Sequence, residues 1–245
     1  MTSALEFIEP DWPAPARVRA AMTTRAGGVS RGPYASFNLA SHVGDEESAV
    51  TENRRRLRNA LQLPSEPSWL EQVHATSIAT LPVPVPTTAD AAVAFVPGQV
   101  CAVLVADCLP VIFASVAGDR VAIAHAGWRG LAAGVLEGTV GALACDPADL
   151  VAWLGPAIGP SAFEVGAEVR EAFVTQDAAS SADFRAGSSG RFFADLPALA
   201  RRRLHAAGVR ALFGGALCTH ADASRFYSYR RDGATGRMAA LAWLA

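Results

Sequence analysis

The fold of this chain is decided by the stretch Val100–Gly141, V-C-A-V-L-V-A-D-C-L-P-V-I-F-A-S-V-A-G-D-R-V-A-I-A-H-A-G-W-R-G-L-A-A-G-V-L-E-G-T-V-G. It contains three continuous apolar runs, whose length and β-branched residues are typical of buried strands. These runs are Val100–Ala106, Val111–Val116 and Val121–Ala124. Because a turn signal, Ala117-Gly118-Asp119, separates the last two runs, we expect them to pair as a hairpin.

The reactive groups of this stretch lie where the predicted strands end. In the predicted hairpin His125 lies opposite a residue near Val111, which brings it close to Asp107 and Cys108. From Gly127 onward the sequence predicts a helix with a stripe of glycines, which allows another backbone to approach closely. These glycines are Gly130, Gly134 and Gly138. A thiol, an imidazole and a carboxylate are therefore expected to meet at one end of a buried hairpin.

The composition is that of a globular protein with a sizeable core. Apolar residues make up 51% of the 245 residues and charged residues 18%, which excludes a disordered chain. We expect a single domain over residues 1–245. Because strands and helices interleave and the central strands form a hairpin, the pattern favours an α+β fold with mixed sheets over a doubly wound parallel sheet.

The charged residues exclude several classes of protein. The net charge of −2 gives no general basic field, so nucleic acid is not an expected partner. All 21 basic residues are arginines, because the chain contains no lysine. This excludes Schiff-base chemistry, pyridoxal phosphate enzymes and Walker-A loops. An anion site in this protein must use arginine, backbone amides or a metal.

Cysteine usage and hydropathy predict a cytoplasmic protein without a membrane partner. The four cysteines form no CxxC pair, and their number suits a reducing compartment, so disulfides are not expected. They are Cys101, Cys108, Cys145 and Cys218. The segment Met1–Asp11 has no apolar signal core, and no stretch of 18 apolar residues is present.

Three other segments carry candidate functional residues. Thr23–Ser30 is a glycine-rich loop that contains Arg25, and such a loop can wrap an oxyanion or form a simple turn. Trp69–His74 is predicted as a strand, as is Arg225–Arg231 near the end of the chain.

The chemistry of the central stretch leaves two readings open. His74, Cys108 and His125 match a catalytic zinc set, in which three ligands leave a fourth position for water or substrate. Alternatively, Cys108 is a nucleophile that His125 activates and Asp107 orients. Spacing alone decides neither reading, and it is also compatible with a buried structural cysteine and two core histidines. A trinuclear copper cluster cannot be built from one chain with five histidines and no His-x-His pair.

Seven segments, in order from about residue 18 to 244, together closely resemble the YfiH-type family, whose members are labelled polyphenol oxidases or laccase-domain proteins. Members are described as zinc-dependent purine nucleoside phosphorylases with adenosine deaminase and methylthioadenosine phosphorylase activity. The segments are Thr23–Ser30, Ser36–Leu39 with His42–Asp45, Gln72–His74, Ala106–Pro110 (A-D-C-L-P), His125–Gly130 (H-A-G-W-R-G), Leu154–Pro160 (L-G-P-A-I-G-P) and Tyr227–Gly236 (Y-S-Y-R-R-D-G-A-T-G). In this chain Ala221 stands where many relatives are expected to have a cysteine or polar residue.

The resemblance implies an α/β/β/α sandwich of two mixed sheets packed between helices. It also implies zinc, with Cu²⁺ as a possible substitute, held by His74, Cys108 and His125. The resemblance further implies purine nucleosides and phosphate as substrates, and a monomer or homodimer as the oligomeric state. Peptidoglycan editing, a cysteine-type hydrolase, a copper-dependent polyphenol oxidase and a non-enzymatic binding protein remain the alternatives.

For this activity we assign Asp107, Cys108 and His125 to catalysis, with Asp107 moving the proton in adenosine deamination. Phosphate requires donors with a planar fork, which a guanidinium provides. The candidates are Arg25, Arg129 and Arg231.

Overall fold

The computed structural model describes residues 4–245, so Met1, Thr2 and Ser3 at the start of the acidic N-terminal segment lie outside the described residues. Fourteen strands are formed within this range. They are β1 (Phe7–Ile8), β2 (Val18–Thr23), β3 (Ser68–Trp69), β4 (Ile78–Thr80), β5 (Ala91–Ala94), β6 (Val100–Val105), β7 (Leu109–Ser115), β8 (Val121–Ala126), β9 (Leu150–Leu154), β10 (Glu164–Val165), β11 (Phe184–Ala186), β12 (Phe192–Ala194), β13 (Ala211–Gly214) and β14 (Met238–Leu244).

Six α-helices connect and cover these strands in the described part of the chain. They are α1 (Glu47–Leu61), α2 (Trp128–Ala133), α3 (Val135–Ala142), α4 (Ala167–Val174), α5 (Leu196–Ala206) and α6 (Tyr229–Asp232). Short 3₁₀ turns occupy Gly32–Tyr34, Pro147–Asp149 and Ala178–Asp183. None of the helices of residues 4–245 combines the length and the apolar character that crossing a lipid bilayer requires.

Two large mixed sheets and one small sheet make up the β structure, which confirms the predicted α+β class. The five-stranded sheet has the order β1-β2-β14-β6-β3, and the six-stranded sheet has the order β13-β9-β7-β8-β5-β4. The six-stranded sheet has a parallel pair at each edge, β13–β9 and β5–β4, and antiparallel pairs between them. The five-stranded sheet is antiparallel except for the parallel pair β6–β3 at one edge. The third sheet, β10-β12-β11, is antiparallel.

The large sheets lie face to face between two layers of helix. Alternate residues of β8 show this, because Ile123 belongs to the core between the sheets and Ala124 to the core under helices α2 to α5. On the other side, the outer face of the five-stranded sheet packs on α1 through residues such as Leu57 and Leu241. The central strands are buried on both faces, which explains why the three central runs are continuously apolar.

The predicted central hairpin is confirmed, and its second strand contains the candidate residue His125. Strands β7 and β8 pair antiparallel, with His125 opposite Pro110. The chain enters this hairpin from β6, which belongs to the other large sheet. The turn around Asp107 and Cys108 is therefore the point where the chain crosses from one sheet to the other.

The single helix predicted from Gly127 is wrong, because the chain forms two helices. Gly134 has φ of 102° and separates α2 from α3, a left-handed conformation that glycine adopts at low cost. The close approach expected of the glycine stripe is nevertheless found at Gly130. A Cβ there would lie 2.8 Å from the carbonyl oxygen of Ala75.

Two predicted strands are also not formed as expected, since Trp69–His74 is a strand only at Trp69, the last residue of β3. The residues Gln72–His74 lie beyond β3 in a loop, and His74 has φ of 61°. Arg225–Arg231 contains a turn and the start of α6, whose N-cap is Ser228. In both segments hydrogen bonds to distant carboxylates replace the strand pairing that the local sequence suggested.

Replacement by alanine is expected to change the free energy of unfolding in opposite directions at two glycines of the helical region. Gly141 in α3 has open space around a built Cβ and an ordinary φ, so Gly141→Ala should raise the free energy of unfolding by about 0.5–1 kcal/mol. Gly130→Ala should lower it by about 1–3 kcal/mol, because the backbone of the His74 loop must move. Urea unfolding of both variants measures this. Equal effects of the two substitutions would contradict the packing of α2 on that loop.

Candidate metal centre

Three potential metal ligands converge at one end of the layer between the two sheets. They are His74 from the loop after β3, Cys108 from the crossing turn and His125 from the last part of β8. One ligand atom from each lies within 4.8 Å of the other two, and among the described residues this is the one group of three or more His, Cys, Asp or Glu side chains so arranged. The three residues that the sequence proposed are therefore brought together.

The crossing turn aims the thiol toward the histidines. Asp107 has φ of 89°, a conformation that a non-glycine residue adopts only when its surroundings hold it. Its carboxylate accepts hydrogen bonds from Thr219 Oγ1 at 2.6 Å, Ser228 Oγ at 3.0 Å and the Arg230 backbone N–H at 2.7 Å. Asp107 is thus occupied in joining the turn to two later segments.

A buried carboxylate, Asp90, holds both histidines. It accepts hydrogen bonds from the backbone N–H groups of Val73, His74 and Ala75 at 3.2, 2.9 and 2.8 Å. Its Oδ1 also lies 2.8 Å from His125 Nδ1, and its carbonyl oxygen accepts the His125 backbone N–H at 2.7 Å. These bonds explain the left-handed backbone of His74.

The contact with Asp90 determines how His125 faces the site. Because a carboxylate accepts, Nδ1 carries the proton and Nε2 is left to face Cys108. Sequence reasoning missed Asp90, although one signal was present. A single carboxylate stands between Ala89 and Ala91, at the start of an otherwise apolar strand.

The electrostatics of the cluster favour a thiolate. Burial would raise the pKa of the Cys108 thiol, but the two imidazoles outweigh burial and lower that pKa to about 6. Burial would lower the pKa of His125, whereas the Cys108 thiolate and Asp90 raise it to about 9. Burial likewise works against ionisation of Asp90, yet His125 and the loop N–H groups lower its pKa. Negative charge on Cys108 and Asp90 thus supports the histidines from two sides.

The donor set and its spacing fit zinc. A tetrahedral ion with nitrogen at about 2.0 Å and sulfur at about 2.3 Å separates the two atoms by roughly 3.6 Å, and Cys108 Sγ lies 3.7 Å from His74 Nε2. The imidazole rings of His74 and His125 meet edge to face, 4.7 Å apart. At Gly127 a Cβ would lie 2.8 Å from His74 Cδ2 and 3.0 Å from the sulfur, so glycine is required beside the ligands.

The cluster lines a cavity of about 370 Å³, a size typical of small-molecule sites. The other residues of its wall come from the end of β6, from loops and from α6. They are His42, Gln72, Leu104, Val105, Ala106, Tyr229 and Arg237. Gln72 is held by two hydrogen bonds to the backbone of Leu104, at 2.9 and 2.7 Å. Tyr229 is 62% exposed at the first position of α6.

Arg237 is the arginine that the structure brings to this cavity. Its Nη1 donates to the carbonyls of Thr235 and Gly236, and within the described residues no carboxylate forms a salt bridge with it. Burial lowers its pKa, while attraction to the Cys108 thiolate works in the opposite direction. The guanidinium therefore presents unpaired charge close to the metal ligands.

Arg237 is not among the residues predicted from the sequence, because its position follows from strand register. Met238 pairs with Val105 across β14 and β6, so the residue before β14 lies beside the end of β6, where the crossing turn begins. A pairing between residues so far apart in the chain has no local sequence signal.

The structure does not bring the three arginines chosen from the sequence into the cavity wall. Arg25 donates to the carbonyls of Ala35 and Ala223 and lies over the ring of Tyr227. Arg231 donates to three backbone carbonyls and to Asp232. Arg129 is exposed and lies over the ring of Trp128. The first two hold loops together rather than facing the metal ligands.

Comparisons with known proteins match the whole described fold. A sequence model of the family described as multi-copper polyphenol oxidoreductase laccase matches residues 19–245. A protein of Pseudomonas aeruginosa named purine nucleoside phosphorylase is 55% identical over 97% of this chain and 98% of its own length. The protein named purine nucleoside phosphorylase YfiH of Escherichia coli is 53% identical over 98% of this chain and 99% of its own length.

Solved structures agree with the sequence relatives. A Neisseria meningitidis protein of 48% identity superposes with a TM-score of 0.93, over 97% of this chain and 98% of the other. YlmD of Geobacillus stearothermophilus, at 32% identity, has a TM-score of 0.91 over 100% and 98% of the two chains. With its fold, its length and its sequence matched throughout, this chain belongs to the YfiH-type family, the laccase-domain family described as multi-copper polyphenol oxidoreductase laccase.

Proposed function

We propose that this protein is a zinc-dependent purine nucleoside phosphorylase that acts on adenosine, inosine and methylthioadenosine and also deaminates adenosine. The observation that carries the proposal is the convergence of His74, Cys108 and His125 in a cavity that also contains an arginine without a carboxylate partner. Relatives of 53–55% identity named purine nucleoside phosphorylase support the same activity.

The proposed metal is zinc because two imidazole nitrogens and one thiolate are a preferred zinc set with one open position. When bound, zinc would act as a Lewis acid and lower the pKa of coordinated water. The protein contributes the orientation of the ligands. Asp90 fixes the tautomer of His125 and the backbone of His74, and such second-sphere bonds commonly change metal affinity by about 10- to 100-fold.

Phosphorolysis requires a site for an anion next to the ribose. The C1′–N9 bond of the nucleoside breaks, the purine leaves with the electron pair, and a C1′–O bond to phosphate forms. We assign the phosphate contact to Arg237, because its Nε and Nη2 make no hydrogen bond within the described part of the chain. A guanidinium can offer phosphate two parallel donors.

The roles proposed from the sequence for Asp107, Arg25 and Arg231 are reassigned on the same grounds. The Asp107 carboxylate accepts three hydrogen bonds from the scaffold, so we propose a positioning role in place of proton transfer. Arg25 and Arg231 use their guanidinium donors on backbone carbonyls, which leaves little capacity for a ligand. Cys108 and His125 keep their proposed place at the reacting centre.

A metal-free cysteine hydrolase is the second candidate, and one observation favours it. A thiol whose pKa is lowered to about 6 beside an imidazole whose pKa is raised to about 9 is the pair that a cysteine nucleophile needs. The position of His74 argues for the metal instead, because a nucleophile needs one base and not a second imidazole at ligand distance from the sulfur.

Copper-dependent polyphenol oxidation has less support, although the family description names copper. Residues 4–245 contain a single three-residue ligand group, whereas a trinuclear copper cluster needs several. We also propose a cytoplasmic location, because the four cysteines are free, as expected in a reducing compartment.

The first prediction from this proposal concerns how much zinc the protein binds and how tightly it binds it. The wild type should bind about one zinc per chain, and His74→Ala, Cys108→Ala and His125→Ala should each lose it, because a three-ligand site has no spare ligand. Asp90→Asn should retain the ligands but bind zinc about 10- to 100-fold more weakly. Metal analysis and competition with a chromogenic chelator measure both quantities.

Matched controls replace a histidine and a cysteine outside the cluster. His205→Ala and Cys145→Ala should keep full zinc content, since neither residue belongs to the ligand group. Full phosphorolysis by the metal-free wild type would contradict the zinc proposal and support the cysteine nucleophile.

The phosphate prediction separates anion binding from metal binding. Arg237→Gln should reduce kcat/KM for phosphate by about 10- to 150-fold, the loss expected for a charge-assisted contact of about 1.5–3 kcal/mol. Zinc content should not change, and adenosine deamination should lose much less because no phosphate takes part. Initial rates of inosine phosphorolysis against phosphate concentration measure the effect.

Two arginine variants serve as controls for this experiment. Arg129→Gln removes an exposed guanidinium outside the cavity and should leave the phosphate dependence unchanged. Arg25→Gln should lower the melting temperature without a selective effect on phosphate. A selective phosphate defect in Arg25→Gln, with none in Arg237→Gln, would return the phosphate site to the glycine-rich loop.

A further inference from the structure

Tyr229 presents an exposed aromatic ring in the wall of the cavity that holds the metal ligands. Although the ring is 62% exposed, it lines the same space as His74, Cys108 and His125. The Arg237 guanidinium lies 5.9 Å from the ring centroid. An aromatic ring in the wall of a cavity is a surface that a bound ligand can cover, and aromatic side chains commonly line ligand sites.

The backbone under Tyr229 is held firmly, in contrast to its exposed side chain. Helix α6 has four residues, too few to be stable alone. The Asp107 carboxylate accepts hydrogen bonds from Ser228 Oγ and the Arg230 N–H, and Arg230 Nη1 donates to the carbonyl of Glu164 at 2.7 Å. Three bonds to two distant segments thus fix the position from which the ring projects.

The Arg231 guanidinium adds a further support on the other side of α6. It donates to the carbonyls of Thr219, His220 and Phe226, each at 2.9 Å. A rigid backbone limits the ordering cost when a ligand contacts the ring, which is the physical benefit of preorganisation.

We propose that Tyr229 is the stacking platform for the purine base, an inference that rests on the proposed nucleoside phosphorylase function. The flat face of a nucleobase is the surface that an exposed aromatic ring covers best, and such stacking accepts every base. With the base on Tyr229 and phosphate on Arg237, the ribose lies between them, next to the metal ligands. This arrangement accommodates adenosine, inosine and methylthioadenosine without a separate set of donors for each.

The test compares a ligand that has a base with one that has none. Titration calorimetry of the zinc-loaded protein measures the Kd of inosine without phosphate and the Kd of ribose 1-phosphate. Tyr229→Leu should raise the Kd of inosine, and equally that of adenosine, by about 5- to 150-fold, the range known for base–aromatic stacking. Tyr229→Phe should stay within about twofold of the wild type, and ribose 1-phosphate should bind Tyr229→Leu as it binds the wild type.

Phe95→Leu is the matched control, because Phe95 is an exposed aromatic, 37% accessible, that does not line this cavity. It should change neither Kd. An unchanged inosine Kd in Tyr229→Leu would overturn the stacking role, as would an equal loss for ribose 1-phosphate, which would indicate general damage. A wild type that binds inosine but does not phosphorolyse it would defeat the proposed function and leave stacking to be decided by the same Kd values. A wild type that binds no nucleoside would overturn both.

Discussion

The arrangement of the site depends on one buried carboxylate. Asp90 has no exposed surface, and an unpaired charge in that position would be very costly. Four donors compensate it: three successive N–H groups of the His74 loop and Nδ1 of His125. The bonds that stabilise the Asp90 carboxylate therefore also fix the positions of both imidazoles. The energetic requirement of burial and the geometric requirement of a ligand set are therefore met by the same bonds.

A second carboxylate, Asp107, does the corresponding work at the turn where the chain crosses between the sheets. It fixes the turn that carries Cys108 and the helix that carries Tyr229. Neither acid lines the cavity, although proton transfer by Asp107 was predicted from the sequence. The chain uses its buried acids to hold reactive side chains, and it leaves the open charge of the cavity to Arg237.

The sequence predicted the parts of the fold that follow from local pattern. Continuous apolar runs gave β6, β7 and β8, and the turn at Gly118 gave the hairpin that carries His125. Residue chemistry proposed His74, Cys108 and His125 as a zinc set, and the resemblance favoured that hypothesis over the alternatives. The features that the sequence did not predict depend on contacts between residues far apart in the chain. The loop conformation of His74 is set by an acid sixteen residues later, α6 by the turn at Asp107, and the place of Arg237 by the register of β14 on β6.

The crossing of the chain between the two sheets at Asp107 and Cys108 has a consequence for cooperativity. Cys108 follows a strand of the five-stranded sheet, His125 belongs to the six-stranded sheet, and Arg237 precedes a strand of the first. The complete cavity therefore exists only while the sheets are docked, because Cys108 and His125 lie at one end of the β7–β8 hairpin and Arg237 lies beside the end of β6. A partial opening between the sheets would separate Arg237 from the three proposed metal ligands. Binding at this seam would stabilise the docked state by mass action, which links occupancy of the cavity to the lifetime of the native fold.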